Sequence, residues 1–334
     1  MGNQLPAIDL FAGAGGLSLG LAKAGFVLVD AVEQDTEACA SFASMHQGLS
    51  AEPRPIEKVK FRQLRGEVAL LAGGPPCQPF SNGGKRLGSR DPRDGFPEFL
   101  RIISELQPEA VLIENVPGLI SGKRRTYFSS LLRALRGRRY SVSWAVLNAA
   151  EYGVPQRRSR LFIVGTRKGR FEFPAPTHGG SARRPYVPSG RVLDPLKADG
   201  SPNNSIVTYA KRPDIRPSPY DGHLFNGGGR AIDLDAPAPT ILASAGGNKT
   251  PFVDMTGIVP AYHRHLLVGG APRTGCVEGT RRITVNEAAA LQTFPKRARF
   301  AGPRSKQYTL IGNAVPPRLA HVVGRQLAKH LASS

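Results

Sequence analysis

The chain has 334 residues, 40% of them apolar, which suffices for one large domain with a smaller one attached. Its 45 lysines and arginines against 25 aspartates and glutamates give a formal charge of +20. Residues 1–60 hold only four of the basic and seven of the acidic side chains, so the excess lies downstream and suits a polyanionic partner. Three dispersed cysteines, Cys39, Cys77 and Cys276, exclude a disulfide framework or a CxxC zinc site, and the lack of an apolar run of about 18 residues excludes a membrane-spanning helix. No secretory leader is read at the start, so a reducing cytoplasmic setting is expected, in which a free thiol persists.

In chain order, "PAIDLF" (6–11) predicts a short buried strand, followed by the turn "AGAGG" and a helix in "LSLGLAKAG" that ends at Gly25. "FVLVDAVE" predicts a second strand and "TEACASFASM" a helix. "VALLAG" (68–73) and "AVLIEN" (110–115) read as strands, separated by the amphipathic helix "FPEFLRIISEL" (96–106). "YFSSLLRAL" (127–135) is helical, and "YSVSWAVLNA" and "RLFIVGT" complete the strands. This alternation predicts an α/β fold with a doubly wound, mostly parallel sheet. The pattern stops near residue 170. Residues 171–280 contain 14 prolines and 15 glycines with no long helical period, which predicts an inserted small loop-rich or β domain. Helical signals return at "TVNEAAALQTF" (284–294) and "PPRLAHVVGRQLAKHL" (316–331), so the large domain is read as split: 1–170 plus 281–334, around 171–280.

Five segments carry candidate chemistry. Gly13, Gly15 and Gly16 follow the first strand, where glycine lets the backbone approach a ligand, and Glu33 ends the second strand, where an acid can bind ribose hydroxyls. The G-x-G-x-x-G register of dinucleotide sites is broken by Ser18, which favours an adenosyl cofactor without a pyrophosphate over a nicotinamide. Cys77 sits in the stiff loop "AGGPPCQPFS" (72–81) after a strand, a setting for a reactive thiol. Glu114 and Asn115 end the strand "AVLIEN". In "QRRSR", Gln156, Arg158 and Arg160 alternate toward one face of the strand they lead into.

These segments, with "RRITVNEAAALQTFP" (281–295) and "IGNAVPP" (311–317), occur in the order and spacing of the cytosine-5 DNA methyltransferases, and the chain resembles that family, in its bacterial restriction–modification form, over nearly everything outside 171–280. The resemblance implies an S-adenosylmethionine-dependent, Rossmann-like fold and methyl transfer to carbon 5 of a flipped cytosine in a specific double-stranded DNA sequence. It implies Cys77 as nucleophile, with Glu114, Gln156, Arg158 and Arg160 as its catalytic companions. Phe11, Gly13, Gly15, Gly16, Glu33, Pro76 and Asn313 are implied for S-adenosyl-L-methionine, and no metal. Residues 171–280 correspond to the target-recognition region, with Asn203, Asn204, Arg212, Arg230, Asn248, Lys249, His263 and Arg264 as polar candidates and "APAPTILASAGGNKTP" (236–251) as a structured part of the reader. The expected partners are duplex DNA and a cognate restriction endonuclease, for a monomer associated with the nucleoid. One departure stands out: the stretch "EPRPIEKVKFRQLRGEVALLAGG" (52–74), where many family members carry the aspartate that binds the adenine amino group, has none, which leaves Glu57 as the substitute acid. An RNA cytosine-5 methyltransferase and a non-catalytic DNA-binding relative remain the alternative readings.

Overall fold

The computed structural model describes residues 4–46, 48–49, 51–76, 94–180, 182, 184–193, 205–226 and 229–333. Its strands are β1 (Leu5–Leu10), β2 (Phe26–Val32), β3 (Leu70–Gly73), β4 (Ala110–Asn115), β5 (Ser141–Asn148), β6 (Ser159–Thr166), β7 (Phe252–Asp254) and β8 (Thr280–Arg282). Its helices are α1 (Gly16–Lys23), α2 (Thr36–Met45), α3 (Phe96–Leu106), α4 (Arg125–Gly137), α5 (Ile258–Leu267), α6 (Val285–Leu291), α7 (Arg304–Asn313) and α8 (Pro317–Ala332).

Six strands form one sheet in the order β2-β1-β3-β4-β6-β5. Neighbours from β2 to β4 are parallel, and β6 runs antiparallel to both β4 and β5. The sheet is therefore the mostly parallel one that the sequence predicts. Every residue of β4 is buried, and its alternation feeds two cores. Val111 and Ile113 pack with Phe99, Ile103, Leu131 and Leu135 of α3 and α4, while Ala110 and Leu112 join the core that holds Leu17 and Leu21 of α1 and Leu319, Val323 and Leu327 of α8. A strand buried on both faces reads as a continuous apolar run, which is why "AVLI" shows no alternation.

Downstream of β6 the chain is mostly irregular but not free of helix. α5 lies inside the segment expected to be loop-rich, and its Val259, Tyr262 and Leu266 build a separate core with Val207, Phe225, Phe252 and Val277. The 236–251 stretch contains no helix or strand. Ala238, Ile241 and Ala245 instead pack on Ala288, Leu291, Tyr308 and Ile311 of α6 and α7. α7 itself lies outside the two C-terminal helical signals of the sequence.

α8 lies directly on α1. A Cβ at Gly20 would stand 2.6 Å from Pro317 O and from His321 N, so the two helices touch backbone to backbone there. Gly20→Val is expected to lower unfolding stability by about 1–3 kcal/mol through overpacking, measured by urea denaturation; an unchanged midpoint would contradict this contact.

Candidate active site

A cavity of about 530 Å³ opens at the C-terminal ends of β1, β3 and β4, the end at which α/β sheets bind ligands. Its wall includes Asp9, Phe11, Gly13, Gly16, Glu33, Pro76, Glu114, Arg160 and Asn313.

The glycine turn is shaped by two left-handed positions, Gly13 (φ 55) and Gly15 (φ 84). Gly13 N donates to Glu33 Oε2 at 2.9 Å, and Glu33 Oε1 accepts from Gln34 N and Asp35 N at 2.8 and 2.9 Å. Glu33 is thus fixed by three backbone amides with its carboxylate at the cavity. Gly16 lines the cavity but Gly15 does not: a Cβ there would stand 2.5 Å from His46 Nε2 and 2.8 Å from Phe42, so Gly15 serves the packing of α2 behind the turn. The role in ligand contact expected of Gly15 is therefore not seen.

Ser18, which breaks the dinucleotide register, has a positive role. Its hydroxyl donates to Asp9 Oδ2 at 2.5 Å, and both residues are fully buried. Among the described residues Asp9 Oδ1 has no hydrogen-bond partner, and Asp9 faces the cavity. Burial raises the Asp9 carboxyl to about 7, against the Ser18 hydrogen bond and with added repulsion from Glu33 and Glu114. The sequence reading missed Asp9; the one available signal was an acid inside an otherwise apolar strand ending at the glycine turn.

On the other side of the cavity, β4 and β6 bring Glu114 and Arg160 together, with Arg160 Nε 2.8 Å from Glu114 Oε1 and both side chains about 10% exposed. Burial pushes the Glu114 carboxyl up, while Arg160 and then Arg158 pull it down; the net direction is upward. A Cβ at Gly74 would stand 3.2 Å from Glu114 Oε2, so glycine there leaves room for the carboxylate. Asn115 Nδ2 donates to Pro75 O at 2.9 Å, and Gly95 N donates to Pro76 O at 3.1 Å. These two bonds fix the stem from which the loop with Cys77 departs. Cys77 lies outside the described residues, and Pro76, immediately before it, lines the cavity. Of the other thiols, Cys39 is buried and pushed up to about 11 by burial and then by Glu33, and Cys276 lies in the insert, bridged to Thr208.

Gln156, Arg158 and Arg160 are buried while Arg157 and Ser159 are exposed, so the predicted alternation holds. Only Arg160 reaches the cavity wall. Arg158 donates to the carbonyls of Ile241 (3.3 Å), Gly312 (2.5 Å) and Ala314 (2.8 Å), joining β6 to the insert and to the α7–α8 turn. Gln156 is fully buried beside Ala238, with both amide atoms unpartnered among the described residues. Glu57 does not line the main cavity. It lines a smaller adjoining one of about 80 Å³ with Phe11, Glu33 and Asp94. In the insert, Arg212, Asn248, Lys249 and Arg264 are exposed and Arg230 is half-buried. His263 is buried, its ring Nε2 2.6 Å from Arg216 O, which makes it a structural residue. Asn203 and Asn204 lie outside the described residues.

The basic surface, the glycine turn, the ribose-type acid Glu33 and the acid-lined cavity together fit an S-adenosyl-L-methionine-dependent methyltransferase. Glu33 suits the ribose, and the orphaned Asp9 Oδ1 with Glu114 suits a ligand that carries positive charge. The sequence profile of the C-5 cytosine-specific DNA methylases matches residues 5–206 and 237–329. The Type II methyltransferase M.AplI of Arthrospira platensis is 33% identical over 97% of this chain and 86% of that relative. M.NgoMIV of Neisseria gonorrhoeae is 32% identical over 98% of both. Among solved structures, the S. pombe Dnmt2 methyltransferase superposes with a TM-score of 0.70 at 18% identity, covering 99% of each chain, which is a likeness of fold. The chain belongs to the C-5 cytosine-specific DNA methylase family: it is a DNA cytosine-5 methyltransferase, and S-adenosyl-L-methionine is its methyl donor. No described helix is long and apolar enough to cross a membrane.

Asp9 should make folding pH-dependent. Between its ordinary value near 3.8 and about 7 the folded chain holds a proton that the unfolded chain has released, so raising pH through that window favours unfolding. Relative to Asp9→Asn, wild-type stability is expected to fall by on the order of 4 kcal/mol across the window and to level off above it. Denaturant titrations at a series of pH values test this, and a flat difference would refute the buried-acid assignment.

Proposed function

We propose that the enzyme methylates cytosine within one short duplex DNA sequence through a covalent adduct to Cys77, and that Glu114 and Arg160 stabilise the ring while the adduct exists. The observation that carries this reading is the buried Glu114–Arg160 pair, open to the same cavity as Glu33 and Asp9 and beside the fixed stem of the Cys77 loop.

Carbon 5 of cytosine is a weak nucleophile. Addition of the Cys77 thiolate to carbon 6 makes the ring enamine-like and sends electron density toward N3 and O2. Glu114, whose carboxyl burial pushes upward, shares a proton or hydrogen bond with N3 in the bound state. Arg160, always cationic, faces O2. S-adenosyl-L-methionine, which Phe11, Gly13, Gly16, Glu33, Pro76 and Asn313 would hold, would supply the electrophilic methyl group that carbon 5 takes, and would leave as S-adenosyl-L-homocysteine. Carbon 5 then loses its proton to a base, for which water suffices, and the carbon–sulfur bond breaks to release Cys77. The target base must leave the duplex stack for any of this. Arg158 and Gln156 act as positioning residues: Arg158 ties the insert and the C-terminal segment to the strand that carries Arg160.

The domain division proposed is 1–170 plus 281–334 for chemistry and 171–280 for target recognition. The packing of Ala238, Ile241 and Ala245 on α6 and α7 supports a reader anchored to the catalytic body, and Arg212, Arg230, Asn248, Lys249 and Arg264 are its candidate DNA contacts. A monomer acting alongside a restriction endonuclease of the same specificity, associated with the nucleoid through DNA, completes the reading; the Type II names of the relatives support the link to restriction alone.

Incubation with S-adenosyl-L-methionine and mixed-sequence duplex DNA, followed by bisulfite mapping, is expected to show methylation at one motif, lost in Cys77→Ala. Glu114→Gln, which keeps a donor but cannot transfer a proton, is expected to reduce kcat by about 10²–10⁴. Methylation of tRNA and not of DNA would overturn the reading.

A further inference from the structure

The cavity occupies one pole of the sheet; the opposite pole carries a different feature. Ala110 begins β4, Ser141 begins β5 and Thr166 ends the antiparallel β6, and these three residues are paired side by side. The turns beside them are Gln107–Glu109, Arg138–Tyr140 and Arg167–Arg170. From Ala110 to Glu114 the strand rises about 13 Å, so these turns lie a full strand length from the catalytic pair.

Five arginines gather at this pole: Arg136, Arg138, Arg139, Arg167 and Arg170. Among the described residues none of the five is ion-paired with a carboxylate, whereas Arg54, Arg101, Arg160, Arg216 and Arg281 all are. Two open hollows of about 290 and 700 Å³ lie between them. Arg138, Arg139 and Arg167 line the first with Ser104 and Gln107, and Arg136 and Arg170 line the second beside Trp144 and one carboxylate, Glu172, which makes no ion pair with either among the described residues. Some of the cations are held in place. Arg138 donates to Ser104 Oγ and Ala134 O, both at 3.0 Å, and Arg167 donates to Pro108 O at 3.0 Å while lying 4.8 Å over the Tyr140 ring. Arg139 takes a left-handed φ of 67, an uncommon conformation for a non-glycine residue. Helix C-termini attract cations, and α3 and α4 both end here. Each such end offers about half a negative charge, which offsets about one of the five positive charges.

We propose that this pole is a second DNA-binding surface, which takes the phosphate backbone of a duplex segment other than the one being methylated. A duplex seated at the cavity mouth lies at the other end of the strands and leaves this face free. The chemistry is that of unpaired guanidinium groups with phosphate oxygens, which is independent of sequence and sensitive to salt. Two such surfaces on one molecule let the enzyme hold one segment while it samples another. The inference rests on DNA being the substrate.

Sandwich capture tests it without knowledge of the recognition sequence. A bead-bound 40-base-pair duplex captures the enzyme, free DNA is washed away, and a labelled second duplex of the same length is added. The first capture reports DNA binding itself, so failure there would count against the substrate reading and not only against the second surface. The variant Arg136→Gln/Arg139→Gln/Arg170→Gln removes three arginines that make no described side-chain hydrogen bond. It is expected to keep first capture, melting temperature and methylation of short duplexes, and to retain at least tenfold less of the second duplex. Where second capture stays measurable, the slope of its log affinity against log salt should be shallower by about 2.7. Light scattering of the wild type excludes bridging by dimers. No second capture by the wild type, or equal capture by the variant, would overturn the proposal.

Discussion

The direction of one strand organises the active site. β6 runs antiparallel to β4, with Asn115 opposite Leu161 and Glu114 opposite Phe162. The start of β6 therefore lies at the end of β4, and Arg160 meets Glu114 at the cavity mouth. A parallel sixth strand would send its first residues to the opposite pole and separate the two charges by the length of the sheet. Burying such a pair costs desolvation that its attraction barely offsets, so an apolar substitute of equal volume would serve the fold as well. The catalytic role proposed for Glu114 and Arg160 would account for the retained charges.

The electrostatics divide the molecule into two compartments. The cavity gathers Asp9, Glu33 and Glu114, and burial drives Asp9 and Glu114 toward their neutral forms. Binding of a ligand with positive charge would offset that burial and draw these carboxyls back toward their ionised forms. The remaining surface is strongly basic, as a partner with a phosphate backbone requires. Net charge alone would have suggested only the second property.

Much of this was legible in the sequence because it depends on local pattern. The glycine turn, Glu33, the Pro76-Cys77 loop and Glu114 each end or follow an apolar strand, Arg160 opens one, and their order matches a known family. What the sequence hid depends on tertiary contacts. Arg158 looked like a partner of Arg160, and its three carbonyl acceptors lie 83 to 156 residues away. α7 escaped because its buried residues, Tyr308, Leu310, Ile311 and Gly312, are almost consecutive and do not form one stripe. α5 was obscured by the prolines and glycines around it. Gly15 resembled a ligand-contact glycine, and only the positions of Phe42 and His46 reveal that it makes room for a helix.

The central claim is that Cys77 attacks carbon 6 of cytosine while Glu114 and Arg160 hold the ring. Duplex DNA carrying 5-fluorocytosine tests it most directly, because fluorine replaces the proton that must leave before Cys77 can be eliminated. With S-adenosyl-L-methionine present, the account predicts a denaturation-resistant protein–DNA complex in which peptide mass spectrometry finds a methylated, fluorinated cytosine attached to Cys77. An attachment elsewhere, or no attachment by enzyme that methylates ordinary duplex DNA, would contradict it.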